Sequence, residues 1–406
     1  MTTKQKRIIF GIVFFLATIA IAFALYWTFF APTPEEEVPE RPAEEKPAEE
    51  AQLPEAEEAE VTEPTGPGEE EPAPAEEEPA PAEEEEEEPV TQPVSDNIDY
   101  VSLNDEGQTR FYNEEDGRFY RLVNGELKPL SDKQFFNAES VKWAPNEDKA
   151  IIEYPDGANV YYNFETKQQE TLPQHWTEFS FSEDGSQVVS KNMSFSEENR
   201  WLVKSSPDGS SIEGVAKMGD NADKVDVNWS PNGEIVGFSK TGGGSGDSQE
   251  VIPVGEENQN LQSISVPGRA MRHKWSPSGE KLLYSVYNSE NNYKPELWAV
   301  TANPGEIGQN RTRLNINTWA NKCAFADENT VYCGVPTSLP EGAGFEPSLA
   351  DDIEDNIYKI NIRDKSRTQI STGDQSFTVE SIQVNESNNQ LIITGKNQSG
   401  LFKIDI

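Results

Sequence analysis

The side chains that most often carry catalysis are scarce in this chain of 406 residues. It has two histidines, His175 in PQHWTEF and His273 in RAMRHKW, 98 residues apart. That spacing excludes the H-E-x-x-H pair that places two imidazoles on one helical face around zinc. A serine hydrolase needs a G-x-S-x-G turn between strand and helix. The nearest stretch, GGGSGDS at 242–248, has Asp247 where the last glycine belongs and reads as a flexible loop. The run DDIED at 351–355 lacks the D-x-[DN]-x-[DN]-G spacing of a calcium loop and reads as a solvated acidic loop. A glycosidase needs two carboxylates opposed across a cleft, which no spacing here indicates. No catalytic residue, metal ligand or cofactor is therefore expected. Cys323 and Cys333 flank the turn AFADENTVY, one on each arm of a hairpin, and so face each other as a disulfide. The alternative is a pair of buried thiols.

The elements around these residues follow from composition. Residues 8–30, IIFGIVFFLATIAIAFALYWTFF, form an unbroken apolar run, long enough as a helix to cross a bilayer core of roughly 30 Å. Lys4, Lys6 and Arg7 precede it, which places the N-terminus in the cytoplasm and the rest of the chain outside. A cleavable signal peptide ending at Ala22-Phe23-Ala24 is the competing reading, but its cleavage point would fall inside the apolar run. Residues 31–97 hold 14 prolines and 25 glutamates, with only Arg41 and Lys46 as cations. Such a stretch buries no apolar surface and repels itself, so it reads as an extended spacer that lifts a domain off the membrane. The expected order is a cytoplasmic tail 1–7, a single membrane helix 8–30, a disordered spacer 31–88 and a folded domain 89–406. The net charge is −40 over the chain and −19 for residues 98–406, so the folded part lacks the basic footprint of a nucleic-acid or anionic-lipid binder.

The folded part is a repeat. An apolar anchor, a polar turn and an apolar run recur at Leu103, Trp143, Phe181, Trp229, Trp275, Phe325 and Val384, spaced by 40, 38, 48, 46, 50 and 59 residues. WAPNEDKAIIEY, WSPNGEIVGFS and WSPSGEKLLYSVY are the strongest copies. Each anchor turn joins two antiparallel strands, and further strands such as PELWAV follow. Four strands in units of roughly 40 to 50 residues make the blades of an all-β propeller. Seven blades are expected, with six or eight as the alternatives. The last unit stops at its third strand, GLFKIDI, which leaves an open edge. PVTQPVSDN at 89–97 matches ELKPLSDKQ, the outermost strand of the first blade, so residues near 90–95 are expected to complete the last blade and close the ring. The anchor tryptophans are then core residues wedged between blades.

The turn W-S-P-[DN]-G-x-x-[IL]-[AV]-[FY] at Trp229 to Phe238 and at Trp275 to Tyr284 resembles the WD40-like propeller repeats of the TolB family. The resemblance covers about 310 residues, as repeat units. It implies a propeller that docks protein partners in the cell envelope. Relatives of dipeptidyl-peptidase IV use a similar propeller to gate a hydrolase. The anchor and spacer stand where TolB has a separate N-terminal domain.

In a propeller the anchor turns lie on one face, and the connections from second to third strand lie on the other. The second face carries the unusual sequence, above all VPTSLPEGAGFEPSLADDIED at 335–355 together with YNSENNYKP, GRAMRHK and NINTWANK. Long loops with proline, glycine and isolated aromatics more often recognise a partner than merely connect strands. Leu339, Phe345 and Leu349 are expected to fold this loop over the channel mouth, near Trp319 and a basic group of Arg269, Arg272 and His273. The binding residues expected are thus Arg269, Arg272, His273, Trp319 and Phe345, with an acidic peptide or a carboxylate on a wall polymer as their target. Neutralisation of surrounding acids is the alternative role of the basic group. The functional expectation is a membrane-anchored, non-enzymatic binding or scaffolding module for a protein or peptidoglycan-associated partner. The alternative is a hydrolase or lyase of peptide or wall polymer with its residues in the same loops.

Overall fold

The computed structural model describes Val90, Thr91 and residues 97–244, 247–259, 261–398 and 400–406. The tail, membrane helix and spacer expected at 1–7, 8–30 and 31–88 lie outside the described residues. Within them, no helix is long and apolar enough to cross a membrane.

The described residues form a seven-bladed propeller of four-stranded antiparallel sheets. Blades 1 to 6 start with the inner strands Ile98–Leu103, Ser140–Trp143, Trp176–Phe181, Val225–Val227, Arg269–Trp275 and Cys323–Phe325, and blade 7 starts with Val379–Asn385. In each case the anchor sits at or just after the end of this strand. The second strands show why the ring forms. Ala150, Ile151 and Ile152 are consecutive, and all are fully buried. Neighbours in a strand point to opposite faces, so both faces of the sheet must be covered. In blade 5, Leu282 and Tyr284 pack with Ile235 and Phe238 of blade 4, whereas Leu283 packs with Cys323 and Val331 of blade 6.

The anchor turns explain their own sequence. Ser230 Oγ accepts a hydrogen bond from the Ile235 amide at 3.0 Å, and Ser276 Oγ accepts from Lys281 at 3.1 Å. Gly233 and Gly279 adopt φ of 79° and 74°, a left-handed conformation that only glycine enters without strain. These turns also clasp one another around the ring. Asn146 Nδ2 donates to Glu183 O at 2.7 Å, Asn232 Nδ2 to Gly279 O at 3.3 Å and Asn385 Nδ2 to Gly107 O at 2.7 Å. Between blades 1 and 2 the clasp is a fully buried arginine. Arg110 lies 4.7 Å from the Trp143 ring centroid, donates to Glu147 O at 2.6 Å and pairs with Asp148 at 3.4 Å.

The anchor tryptophans are structural, as expected: Trp229 is buried, and Trp275 stacks on Phe238 with ring centroids 5.5 Å apart. At the other end of the inner strands, blades 1, 3 and 5 carry a bulge in which Tyr100, Glu178 and Ala270 adopt φ of 51°, 54° and 51°. Such bulges bend a strand and re-aim its side chains, here at the rim of the channel.

Val90–Thr91 completes blade 7, pairing Val90 with Ile404 and Thr91 with Lys403, so the chain closes the ring with its own upstream segment. Only these two of the residues expected there are described. A chain beginning at Asn97 should therefore melt about 2–6 °C below one beginning at Glu88, because two ladder pairs are lost and an edge is opened. Differential scanning calorimetry of the two chains checks this.

Candidate functional site

The connection between the second and third strands of blade 6 spans residues 337–354 and is strapped to both neighbours. On the blade 5 side, Gly342 N donates to Asn292 O at 3.0 Å and Gly344 N donates to Tyr293 O at 2.7 Å. A Cβ on Gly344 would stand 2.4 Å from Tyr287 Cβ and 2.6 Å from Tyr293 O, so glycine is what lets the loop approach this closely. On the blade 7 side, Asp351 pairs with Lys396, and its carbonyl accepts from Asn397 Nδ2 at 2.8 Å. Beneath the loop, Trp319, Ala343 and Ala350 form a small core with Leu339 and Ile353. Above it, Phe345 is 59 % exposed, yet its ring is braced by Tyr287 and Tyr293, each with centroids 5.8 Å away. Leu349 and Tyr293 are also exposed. A cavity of about 510 Å³ is lined by Asp247, Ser248, Pro267, Asn288, Ser289 and Glu290.

The residues expected to bind do not form one group. Leu339 reaches Trp319, but Phe345 and Leu349, expected to fold the loop down beside it, are exposed instead. Trp319, however, is buried as the floor of the loop, because Leu339 and the loop alanines close over it. His273 is not part of a basic cluster. It faces blade 4, with its ring 4.7 Å from Phe238, and burial pushes its pKa down to about 4, which leaves it neutral at pH 7. Alternation along the inner strand accounts for this, since Met271, His273 and Trp275 point to one face and Arg272 to the other. Arg272 donates to Asn321 Oδ1 at 3.3 Å and lies 6.0 Å from the Trp319 ring. Arg269 is exposed at the start of the strand and helps hold the Asp247 carboxyl below its ordinary range, after the larger effect of hydrogen bonding from Ser289. His175 is exposed near the start of blade 3, so the two histidines do not converge.

The two cysteines form a disulfide between directly opposed ladder partners. The DDIED run is not uniformly solvated. Its Asp355 is buried, accepting from Lys322 Nζ and from the Val379 amide, both at 2.7 Å, and it thereby fixes blade 7 to blade 6. Among the described residues, no group of three or more His, Cys, Asp or Glu could hold a metal ion.

The sequence reading missed an acidic pocket at the seam of blades 7 and 1. Asp99, Glu114 and Glu380 line a cavity of about 290 Å³ there. Burial, the adjacent Glu114 and then Glu380 push the Asp99 carboxyl up to about 6. It missed Tyr287 and Tyr293 as braces of Phe345, and it passed over Lys274. Only the last had a sequence signal, standing before Trp275 as Lys142 stands before Trp143.

No known protein family matches the sequence, and no curated protein is similar to it. Solved structures with a similar fold include an oligogalacturonate lyase in complex with manganese, at a TM-score of 0.55 and 12% identity over 78% of this chain and 93% of that one. The β-propeller domain of Cps50 (Swd1) from Myceliophteria thermophila aligns at 0.52 and 12% identity, over 78% of this chain and 98% of that one. TolB from Acinetobacter baumannii aligns at 0.43 and 14% identity, over 69% and 64%, too low to carry weight. At these identities the likeness establishes the propeller and nothing about activity.

Replacing Cys323 and Cys333 together by serine should lower stability by about 2–3 kcal/mol through the entropy of the reopened loop, which denaturant titration checks. The raised Asp99 carboxyl binds its proton more tightly folded than unfolded, so its penalty is fully present above about pH 6 and disappears as pH falls toward 4. Asp99→Asn should therefore melt above the natural chain at pH 7, with the difference vanishing near pH 4.

Proposed function

We propose that this chain is a membrane-anchored, extracytoplasmic propeller that binds rather than catalyses, docking a protein or peptidoglycan-associated partner on the loop-rich face of blades 5 and 6. The observation that carries this reading is Phe345. A large aromatic left mostly in water is ordinarily free to move, and ordering it on binding costs free energy. Here two backbone hydrogen bonds, a glycine close approach and two tyrosine rings have already fixed it. Pre-organised aromatics set in a polar rim are the usual anchors of protein interfaces. The apolar run at 8–30 and the glutamate- and proline-rich spacer support presentation of this face away from a membrane.

The test compares the full chain with Phe345→Ser and Tyr293→Ser, immobilised and exposed to a cell-envelope extract. Each substitution should leave the melting temperature nearly unchanged, as surface changes do. Each should also reduce retention of any specifically bound partner by about tenfold or more. Unchanged retention by both variants would remove this face as the docking site.

A further inference from the structure

The innermost strands line the channel in levels, one residue per blade. At the level one residue before the anchors, Ser102, Ser180 and Gln383 are engaged with their surroundings: Ser180 Oγ accepts from Trp229 N at 3.0 Å, Gln383 Nε2 donates to Val101 O at 2.8 Å, and Ser102 Oγ accepts from Arg110 at 3.4 Å. Asn228 and Ala324 are neutral. The remaining two are Lys142 and Lys274, and no carboxylate stands at this level in a chain with 73 acidic residues. Lys142 shares its cavity with Glu139, Glu153 and Glu178. Lys274 makes no hydrogen bond or ion pair among the described residues, and both it and Arg272 are solvent-exposed.

One level toward the loop-rich face, the charged side chains are matched except on the same strand. Glu178 pairs with Lys191 at 2.6 Å, Asp226 with Lys240 at 2.5 Å and Lys322 with Asp355 at 2.7 Å. Among the described residues, Arg272 meets the neutral Asn321 amide and the Trp319 ring and no carboxylate. Desolvation lowers the pKa of both Arg272 and Lys274, and no carboxylate offsets it.

We propose that Arg272 and Lys274 form an anion site inside the central channel, for a ligand carrying two oxyanion groups that enters from the loop-rich face. Residues two apart on one side of a strand are spaced by roughly 7 Å, which suits two linked carboxylates or phosphoryl groups. Two cations on one side of a strand with no carboxylate partner repel each other, so the arrangement is stabilised by an anion between them. The guanidinium fork can grip one oxyanion through two donors while the ammonium holds the other as a point charge. Low-dielectric walls concentrate this field in the lumen despite the acidic surface. The site is separate from the Phe345 surface and does not depend on it.

Calorimetric titration of the full chain with citrate and with pyrophosphate at low ionic strength tests the site. Binding of either probe supports it, and which one binds tells carboxylate from phosphoryl chemistry. Lys274→Gln and Arg272→Gln should each weaken binding about tenfold or more, and added salt should weaken it further. Lys365→Gln, on an exposed turn of blade 6, should bind as the natural chain does. Without ligand, Lys274→Gln should melt higher, because it relieves the repulsion between Lys274 and Arg272. Retained binding in Phe345→Ser would separate this site from the docking surface. The proposal is overturned if neither probe binds, if both variants bind like the natural chain, or if Lys274→Gln melts lower.

Discussion

Every blade of this molecule is apolar on both faces, and a four-stranded sheet cannot cover itself. That constraint governs the rest. Leu283 finds its cover in blade 6, while Leu282 and Tyr284 find theirs in blade 4, so no blade is a stable object alone. The ring must close, and it closes by sending Val90–Thr91 to the edge of the last sheet. Polar groups are then placed where the apolar contacts run out. The turn asparagines clasp the next blade, Arg110 fills the gap between blades 1 and 2, and Asp355, paired with Lys322 within blade 6, accepts from the Val379 amide and so ties blade 6 to blade 7.

A ring held in this way is rigid, and it hands its rigidity to its loops. Residues 337–354 would be a costly loop to order alone, but the ring supplies anchor points on three successive blades. The consequence is an exposed ring, Phe345, whose position is set by Gly342, Gly344, Tyr287 and Tyr293 rather than by a partner. The proposed docking surface is thus carried by a segment that the propeller sheets themselves do not need.

The electrostatics follow the same division. Residues 98–406 carry a net charge of −19. At the inner strands Glu178, Asp226 and Lys322 each find an opposite charge, whereas Asp99, Glu114 and Glu380 crowd together at the seam of blades 7 and 1. Unmatched positive charge is concentrated on one strand of blade 5, beside the strapped loop. The features proposed to bind therefore gather on the side of the ring that holds blades 5 and 6.

The sequence by itself determined the architecture, because the information is local. An anchor followed by a polar turn specifies a hairpin wherever it recurs, most plainly after Phe181, Trp229 and Trp275, where serine caps the turn and glycine takes φ of 66°, 79° and 74°, and seven recurrences specify a ring of blades. The opposed cysteines were legible for the same reason, since register within a hairpin is set by its turn. The site was legible only in outline. The long loop and Phe345 stood out by length and composition, but Arg269, Arg272, His273 and Trp319 look like one basic and aromatic patch only while the chain is read as a line. Tertiary structure decided otherwise: alternation along the strand sent His273 between blades and left Arg272 and Lys274 on the other side. The loop closed over Trp319, and Asp355 was buried against Lys322. Those outcomes depend on which neighbour each face meets, and that is fixed only when the ring closes.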